Sequence, residues 1–153
     1  MEAWKQYKYD FLLFVECGFI AVNQADETAA INLFKAAELL DKDSVMPKIG
    51  VGYLHLHKLE LNKAIKAFKD VLKKEANNEM AKAFLGIVMS MTSDDWSEGE
   101  KILINTKKSN NKDIQKLSST ALDFVDKFVK KHPTPVEGTM GKKAKNMEKK
   151  ERK

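Results

Sequence analysis

Two histidines are the residues of this chain whose type and spacing come nearest to a metal site. His55 and His57 stand two residues apart in a stretch with helical periodicity. Side chains two apart on a helix point to different faces, so they cannot share one ion as histidines spaced i, i+4 would. We therefore expect no metal site, with His55 packed between helices and His57 facing a groove or solvent.

Other potential sites of chemistry also have structural explanations. Gly50-Val51-Gly52 begins a glycine-rich string, but a third glycine and a preceding strand are missing, so a dinucleotide cofactor is not expected. Asp94-Asp95 reads as a turn and not as a catalytic carboxylate pair. Cys17 cannot form an internal disulfide, and we expect a small buried apolar residue there. No serine or cysteine has a recognisable nucleophile setting, so the sequence predicts a protein that is not an enzyme.

Composition indicates one soluble helical domain. The chain has 153 residues, of which 43% are apolar, enough for a core of stacked helices. No β-branched run with period-two alternation is present. The longest uncharged stretch, Ala83–Ser93, is far too short to cross a bilayer, and Met1-Glu2 opens no basic region ahead of a signal-peptide core. We expect a cytoplasmic protein with no membrane insertion.

The positive charge lies mainly at the carboxyl end. The net charge is +5, of which residues from Pro133 onward carry +4, leaving +1 for residues 1–132. We predict a helical domain over 1–132 and a disordered, lysine-rich tail over 133–153. No aromatic residue is interleaved with the lysines of the tail, so nucleic-acid binding is not expected.

A 34-residue period organises the sequence. Gly18, Gly52 and Gly86 recur with this period, and they define units over 11–44, 45–78 and 79–112. Each glycine is followed by a small residue and then, four residues later, by a large apolar one. These pairs are Ala30 with Phe34, Ala64 with Phe68, and, after a one-residue shift in the turn Thr92–Asp95, Gly99 with Leu103. Because glycine is costly inside a helix, its recurrence predicts close helix contacts.

Seven helices in antiparallel pairs and no sheet are expected. The first runs from about Ala3 to about Gln24, with Trp4 and Tyr7 near its start. The predicted helix-start signals are Asp26 and Asn62 as caps, Pro47 in a first turn, Asn77-Asn78 in a turn, and a capping box of Ser97 with Glu100. The last helix, Asp113–Lys131, closes the array with an apolar face of Ile114, Leu117, Ala121, Val125 and Phe128.

In its glycine, alanine and phenylalanine positions the chain resembles the tetratricopeptide-repeat (TPR) family over about 100 of its 153 residues. It departs from the family pattern where Lys42 and Ala76 replace a repeat-ending proline and His55 replaces an aromatic residue. The resemblance implies an all-α fold, a right-handed TPR-like superhelix of about three helix-turn-helix repeats plus a C-terminal capping helix.

The resemblance also implies a concave groove lined by the first helix of each unit. Eleven of its twelve positions are apolar, with Ser90 the exception, and Phe19, Tyr53 and Ile87 are expected at its centre. The predicted partner-binding residues are Leu12, Val15, Phe19, Val22, Met46, Ile49, Tyr53, Leu56, Met80, Ala83 and Ile87. The Lys, Arg and Asn residues of carboxylate-clamp TPR proteins are missing from these positions. The groove would suit an amphipathic helix or an extended apolar segment of a partner, unless the chain itself covers these residues.

A narrower resemblance concerns bacterial type III secretion chaperones. The stretches Tyr9–Phe34 and Ile49–Val71 resemble the branch that holds the needle subunit, particularly its chlamydial members. This implies that the groove clasps the amphipathic C-terminal helix of the needle subunit, together with a small helical co-chaperone, and prevents premature polymerisation. Two alternatives stay open: a translocator or effector chaperone of the same system, and a general TPR scaffold whose basic tail engages nucleic acid or an acidic partner.

Overall fold

The computed structural model describes residues 7–130, and within that range the chain is all-helical, without any strand. The seven helices are α1 Lys8–Asn23, α2 Glu27–Leu40, α3 Met46–His57, α4 Leu61–Lys74, α5 Glu79–Ser90, α6 Trp96–Thr106 and α7 Lys112–Phe124. The predicted all-α class is confirmed. The expectations for Trp4 and for the tail 133–153 fall outside the described residues.

Consecutive helices pack side by side as antiparallel hairpins. Gly86 of α5 lies against Leu103 of α6, and Ser90, one turn further along α5, lies against Gly99, one turn earlier in α6. The second helix of each hairpin also contacts the helix that follows it, so that α2 contacts α3, α4 contacts α5 and α6 contacts α7. The first helices of the hairpins, together with α7, contact one another in the order α1, α3, α5, α7. The first helices therefore form one contiguous layer.

The repeated glycines sit where two helices approach most closely. A Cβ atom on Gly18 would come within 2.5 Å of the Phe34 ring, and one on Gly52 within 2.7 Å of the Phe68 ring. On Gly86 it would come within 3.0 Å of Leu103. At Gly18 and Gly52 a side chain would displace the facing ring, and at Gly86 the neighbouring side chains would have to shift, so the close contacts predicted from the 34-residue period are confirmed.

Gly50 has a structural role that the sequence analysis did not assign. A Cβ atom at this position of α3 would collide with the Phe34 ring, which Gly18 of α1 also contacts. The ring is 1% exposed. Phe34 thus joins the first hairpin to the second through two glycines.

Two turns of the array share an unusual backbone. Ala25 and Leu59, one repeat period apart, are the non-glycine residues with positive φ among those described, at 60° and 56°. In each turn the backbone N–H of the left-handed residue donates to the carbonyl three residues before it. The N–H of the next residue donates to the carbonyl five residues before that residue. This is the hydrogen-bonding pattern that ends a helix at a left-handed residue, and here it recurs with the period of the sequence.

Helix starts agree with the sequence analysis at some positions and not at others. Asp26 caps α2 by accepting from the Ala29 N–H at 2.9 Å, Asn78 caps α5, and Pro47 lies in the first turn of α3. The prediction that Asn62 caps α4 is wrong, because α4 begins at Leu61 directly after the left-handed turn, which places Asn62 inside the helix.

The predicted capping box of α6 is also wrong. This helix begins at Trp96, after Asp95, so Ser97 is already a helical residue and cannot serve as the cap. Glu100 instead pairs with Lys130 across to the end of the last helix. The Asp95 side chain, directly before α6, makes no capping hydrogen bond either.

The last helix packs on α6 through a buried pair of hydroxyl groups and ends in a π-helical turn. The Thr106 and Ser118 hydroxyls lie 2.7 Å apart. After Phe124 the chain follows a π-helical turn over Val125–Val129, in which the Lys130 N–H donates to the Val125 carbonyl. The wider turn rotates Phe128 away from the core, leaving it 55% exposed, which corrects its predicted place on the apolar face.

Candidate partner-binding surface

Aromatic side chains connect α1 to α3 on the exposed side of the first-helix layer. The rings of Phe19 and Tyr53, which are one repeat period apart in sequence, have centroids 5.5 Å apart. The Tyr53 hydroxyl donates to Asn23 Oδ1 at 2.8 Å, and burial raises the pKa of this phenol. Tyr53 thus presents a half-buried ring whose hydroxyl is already bonded within the protein.

The aromatic contacts continue from α3 to α5 through Phe84. Its ring centroid lies 5.3 Å from that of Tyr53 and 5.5 Å from that of Phe68, which belongs to the core. Phe84 shares a helix face with Met80, Ile87 and Met91, because their spacings correspond to whole turns of a helix. The face of α5 that adjoins Tyr53 is therefore apolar over its full length.

An apolar cavity separates this face of α5 from α7. It has a volume of about 310 Å³ and is lined by Ile87, Ser90, Met91, Leu103, Leu117, Thr120, Ala121, Phe124 and Val125. The Ser90 hydroxyl is already bonded to the Gly86 carbonyl at 2.6 Å, so it offers no unsatisfied donor to the cavity. A cavity of this size and lining suits one or two large apolar side chains.

These features form one apolar surface across the first helices, which we term the first-helix surface. Its exposed members are Leu12 at 45%, Met91 at 39% and Phe124 at 49%. Its half-buried members are Phe19, Tyr53, Phe84 and Ile87. It begins on α1, crosses α3 and α5, and ends at α7.

The predicted groove residues differ widely in accessibility. Four are buried, six are half-buried, and Leu12 is exposed. The buried ones are Val15, Val22, Ile49 and Ala83, whereas the half-buried ones are Phe19, Met46, Tyr53, Leu56, Met80 and Ile87. Buried side chains belong to the interior of the array, so only the half-buried and exposed ones are accessible from outside. The role of all eleven in partner binding stays a prediction.

The structure brings Phe19 and Tyr53 together as predicted, but Phe84 stands next to Tyr53 where Ile87 was expected. Phe84, Met91 and Phe124 were missed by the sequence analysis. Alignment on a strict 34-residue period pointed to Ala83 and Ser90, which are both buried. The signal for Phe84 and Met91 was their spacing from Met80 and Ile87 on a single helix face.

The two histidines point to different faces of α3, as predicted. His55 Nδ1 lies 2.6 Å from Glu60 Oε2, and the hydrogen bond from His55 lowers the pKa of this carboxyl to about 2, with Lys63 adding to the effect. His57 packs edge-on against Tyr53 with centroids 4.4 Å apart. In the part of the chain that the structure describes, no group of three or more His, Cys, Asp or Glu side chains is placed to hold a metal ion.

Comparison with family models, with curated proteins and with solved structures finds no match to this chain.

Proposed function

We propose that this protein is a TPR-like binding protein, not an enzyme, and that its first-helix surface holds an amphipathic helix of another protein. The partner is the needle subunit of a type III secretion system, which the protein keeps from polymerising in the cytoplasm before export. The observation that carries the proposal is the continuous apolar first-helix surface, which ends in a cavity of about 310 Å³.

The repeat architecture supports the TPR-like part of the proposal. The glycine contacts at Phe34 and Phe68, and the left-handed turns at Ala25 and Leu59, recur with the same 34-residue spacing. Units with the same internal contacts stack on one another with a constant rotation. We therefore infer a right-handed superhelix whose concave side is formed by the first helices. A concave inner layer gives a helical partner contacts on several units at once.

The chemistry of the surface supports an apolar helical partner. An amphipathic helix presents large side chains at i, i+3, i+4 and i+7, which would lie across Phe19, Tyr53 and Phe84. One such side chain fits the cavity between α5 and α7, where it would be desolvated on all sides. Anchors of this kind contribute most of the binding energy at protein interfaces.

The co-chaperone in the proposal has a separate apolar stripe available on α1. Tyr9, Leu13 and Ile20 lie on one face of this helix and are exposed, with Glu16 between them. A terminal unit of a repeat array needs a polar outer side or a covering element. We place the small helical co-chaperone on this stripe, where it would cover the first unit.

The choice of the needle subunit rests on the resemblance of Tyr9–Phe34 and Ile49–Val71 to the needle-chaperone branch. A translocator chaperone or a general TPR scaffold would use the same surface. A gene neighbour of about 80 residues with an apolar helical C-terminus favours the needle subunit, whereas large neighbours with membrane spans favour translocators. No helix among residues 7–130 is long and apolar enough to cross a bilayer.

The test uses exposed members of the surface, because their replacement leaves the core intact. Phe124→Asp and Leu12→Asp place a carboxylate where the partner helix would dock, and Leu39→Asp is the matched control, since Leu39 is 76% exposed on α2. Tyr53→Asp is less suitable because it also removes the hydrogen bond to Asn23. Binding of a synthetic C-terminal helix of the needle subunit is measured by calorimetry, with thermal melts on the same samples.

We expect wild type and Leu39→Asp to bind alike, and Phe124→Asp to bind at least about a hundredfold more weakly, because the buried carboxylate has no partner. All melts should be similar. Failure of wild type to bind the needle helix would overturn the partner assignment. Undiminished binding by Phe124→Asp and Leu12→Asp would overturn the assignment of the surface.

A further inference from the structure

A second cleft lies on the opposite side of α3 from the first-helix surface. It has a volume of about 280 Å³ and opens between α2 and α4, with α3 as its floor. Its apolar lining comes from Phe34, Pro47, Val51 and Ala67. On the helical wheel of α3, Pro47 and Val51 are roughly half a turn from Tyr53, so the two sites do not overlap.

Charged side chains surround the apolar floor of this cleft. Lys35 and Glu38 from α2, Lys48 from α3 and Asp70 from α4 also line it. Asp70 is already paired with Lys73, with 2.7 Å between Nζ and Oδ1. This bond, reinforced by the nearby charges of Lys66 and Lys48, lowers the pKa of the Asp70 carboxyl.

Two lysine ammonium groups of the lining are not neutralised. The lining holds Lys35 and Lys48 against Glu38 and Asp70, and Lys73 offsets the Asp70 charge from outside the lining, which leaves Lys35 and Lys48 against Glu38, a net charge of +1. Within residues 7–130, the exposed Lys35 and Lys48 form no ion pair with a carboxylate, so both ammonium groups are available to a ligand. Their aliphatic stems extend the apolar lining.

We propose that this cleft binds an acidic protein segment that carries a large apolar side chain between carboxylates. The apolar side chain occupies the space between Pro47 and Val51 on the floor and Ala67 on the α4 wall, and the flanking carboxylates meet Lys35 and Lys48. The proposal rests on this complementarity of shape and charge and is independent of the function assigned to the first-helix surface.

The arrangement favours an acidic peptide over a nucleic acid. A polyanion needs a continuous basic track and gains from aromatic platforms on which bases stack. In this cleft Glu38 and Asp70 interrupt the lysines, and the Phe34 ring is only 1% exposed. A peptide can place its carboxylates at the lysines alone and avoid the acidic positions.

The test measures fluorescence anisotropy of a labelled eight-residue peptide, DEELFDEE, with blocked ends, in titration with the full-length protein. The uncharged peptide NQQLFNQQ and an oligothymidylate of about 15 nucleotides are the comparison ligands. The paired substitution Lys35→Glu with Lys48→Glu removes the complementary charges. Lys107→Glu with Lys108→Glu is the matched control, because both lysines are exposed and lie outside the cleft.

A third variant separates shape from charge. Ala67→Leu adds volume to the α4 wall of the cleft without changing any charge, and Ala67 is half-buried, so the fold should tolerate it. Thermal melts of every variant establish that the array remains folded.

We expect the acidic peptide to bind and NQQLFNQQ not to bind, with affinity falling as salt shortens the Debye length from about 10 Å at 0.1 M. The paired substitution of Lys35 and Lys48 by Glu should weaken peptide binding at least about tenfold, and so should Ala67→Leu. The control substitution of Lys107 and Lys108 should change the affinity less than about twofold. Absence of peptide binding at about 1 mM, equal loss in the control pair, or tighter binding of the oligothymidylate than of the peptide would overturn the proposal.

Discussion

At the scale of single residues, Ala25 and Leu59 show how strongly the repeat constrains the backbone. Both adopt a left-handed conformation, with φ of 60° and 56°, that usually favours glycine. The conformation costs roughly 1–2 kcal/mol for a residue with a Cβ atom. It is retained because each residue ends one helix and directs the chain into the next within three residues.

This strain leads to a stability prediction for Leu59→Gly. The side chain of Leu59 is exposed, so its loss removes little core contact. We expect the free energy of unfolding to rise by about 0.5–1 kcal/mol, because relief of the left-handed strain exceeds the added entropy of the unfolded chain. Urea denaturation measures the change.

Lys66→Gly, on the exposed face of α4, is the control and should lower the free energy of unfolding by about 1 kcal/mol. If Leu59→Gly destabilised the protein as much as Lys66→Gly does, the left-handed conformation would not be the native one.

Residue types alone predicted the cap of α2 correctly, because Asp26 directly precedes this helix and accepts from the Ala29 N–H. Asn78, which was predicted only as part of a turn, caps α5 by accepting from the Ala81 N–H. Asn62 does not cap α4, because this helix begins at Leu61, directly after the left-handed turn at Leu59. The residue before the helix, Glu60, makes side-chain hydrogen bonds with His55 and Lys63 instead of capping it. A non-glycine residue in this conformation leaves no mark in the sequence, so the start of α4 could not be read correctly.

At the scale of helices, the glycine positions determine how closely each hairpin closes. Gly52 of α3 lies against the Phe68 ring of α4, which is fully buried in the central core cluster. Sequence periodicity identified this contact because the glycine and the phenylalanine both have counterparts one period earlier, in the preceding unit. Gly50, which has no such counterpart, was not identified although it contacts Phe34 just as closely.

We therefore predict that Gly52→Leu strongly destabilises the fold. The new side chain would have to displace Phe68 or separate α3 from α4, and overpacking of this kind costs about 1–3 kcal/mol or more. Urea denaturation and thermal melting measure the loss. A melting temperature within a few degrees of wild type would mean that the α3–α4 packing is wrong. Leu59→Gly in the adjoining turn serves as a control for effects on chain flexibility alone.

The carboxyl end of the array departs from the sequence prediction for a physical reason. A regular helix through residue 130 would place Phe128 on the same face as Val125 and Leu117. The π-helical turn over Val125–Val129 instead buries Val125 and exposes Phe128, while Lys130 pairs with Glu100 and Asp126. A single-residue expansion rotates the residues that follow it about the helix axis, and helical periodicity in the sequence does not reveal it.

At the scale of the whole molecule, the arrangement of helices separates two surfaces. The first-helix surface is apolar and holds Phe19, Tyr53 and Phe84, whereas the cleft between α2 and α4 is apolar at its floor and positive at its rim. The sequence pointed to the helices of the first surface, because the TPR resemblance implies that the first helix of each unit lines a groove. The second was not predicted, since residues from three helices combine to form it.

The same comparison explains which predicted positions lie on the first-helix surface. The 34-residue period gives the helix and the approximate face, so it selected Phe19, Tyr53 and Ile87, which are half-buried members of this surface. It does not give the rotation of each helix within the stack, and so it selected Ala83 in place of its neighbour Phe84. The contribution of α7 through Phe124 was missed because α7 lies outside the repeats.

The last prediction concerns the tail, residues 133–153, which carries +4 of the net charge of +5. Its truncation after His132 should leave affinity for the needle helix within about twofold of wild type, because the first-helix surface is complete within residues 7–130. The same truncation should sharply weaken any salt-dependent binding to polyanions, since counterion release scales with the number of basic groups. Calorimetry at two salt concentrations measures both effects. A large gain in affinity for the needle helix would mean that the tail itself covers the first-helix surface. A large loss would place the tail within the binding site, as expected for a scaffold that engages its partners through a basic end.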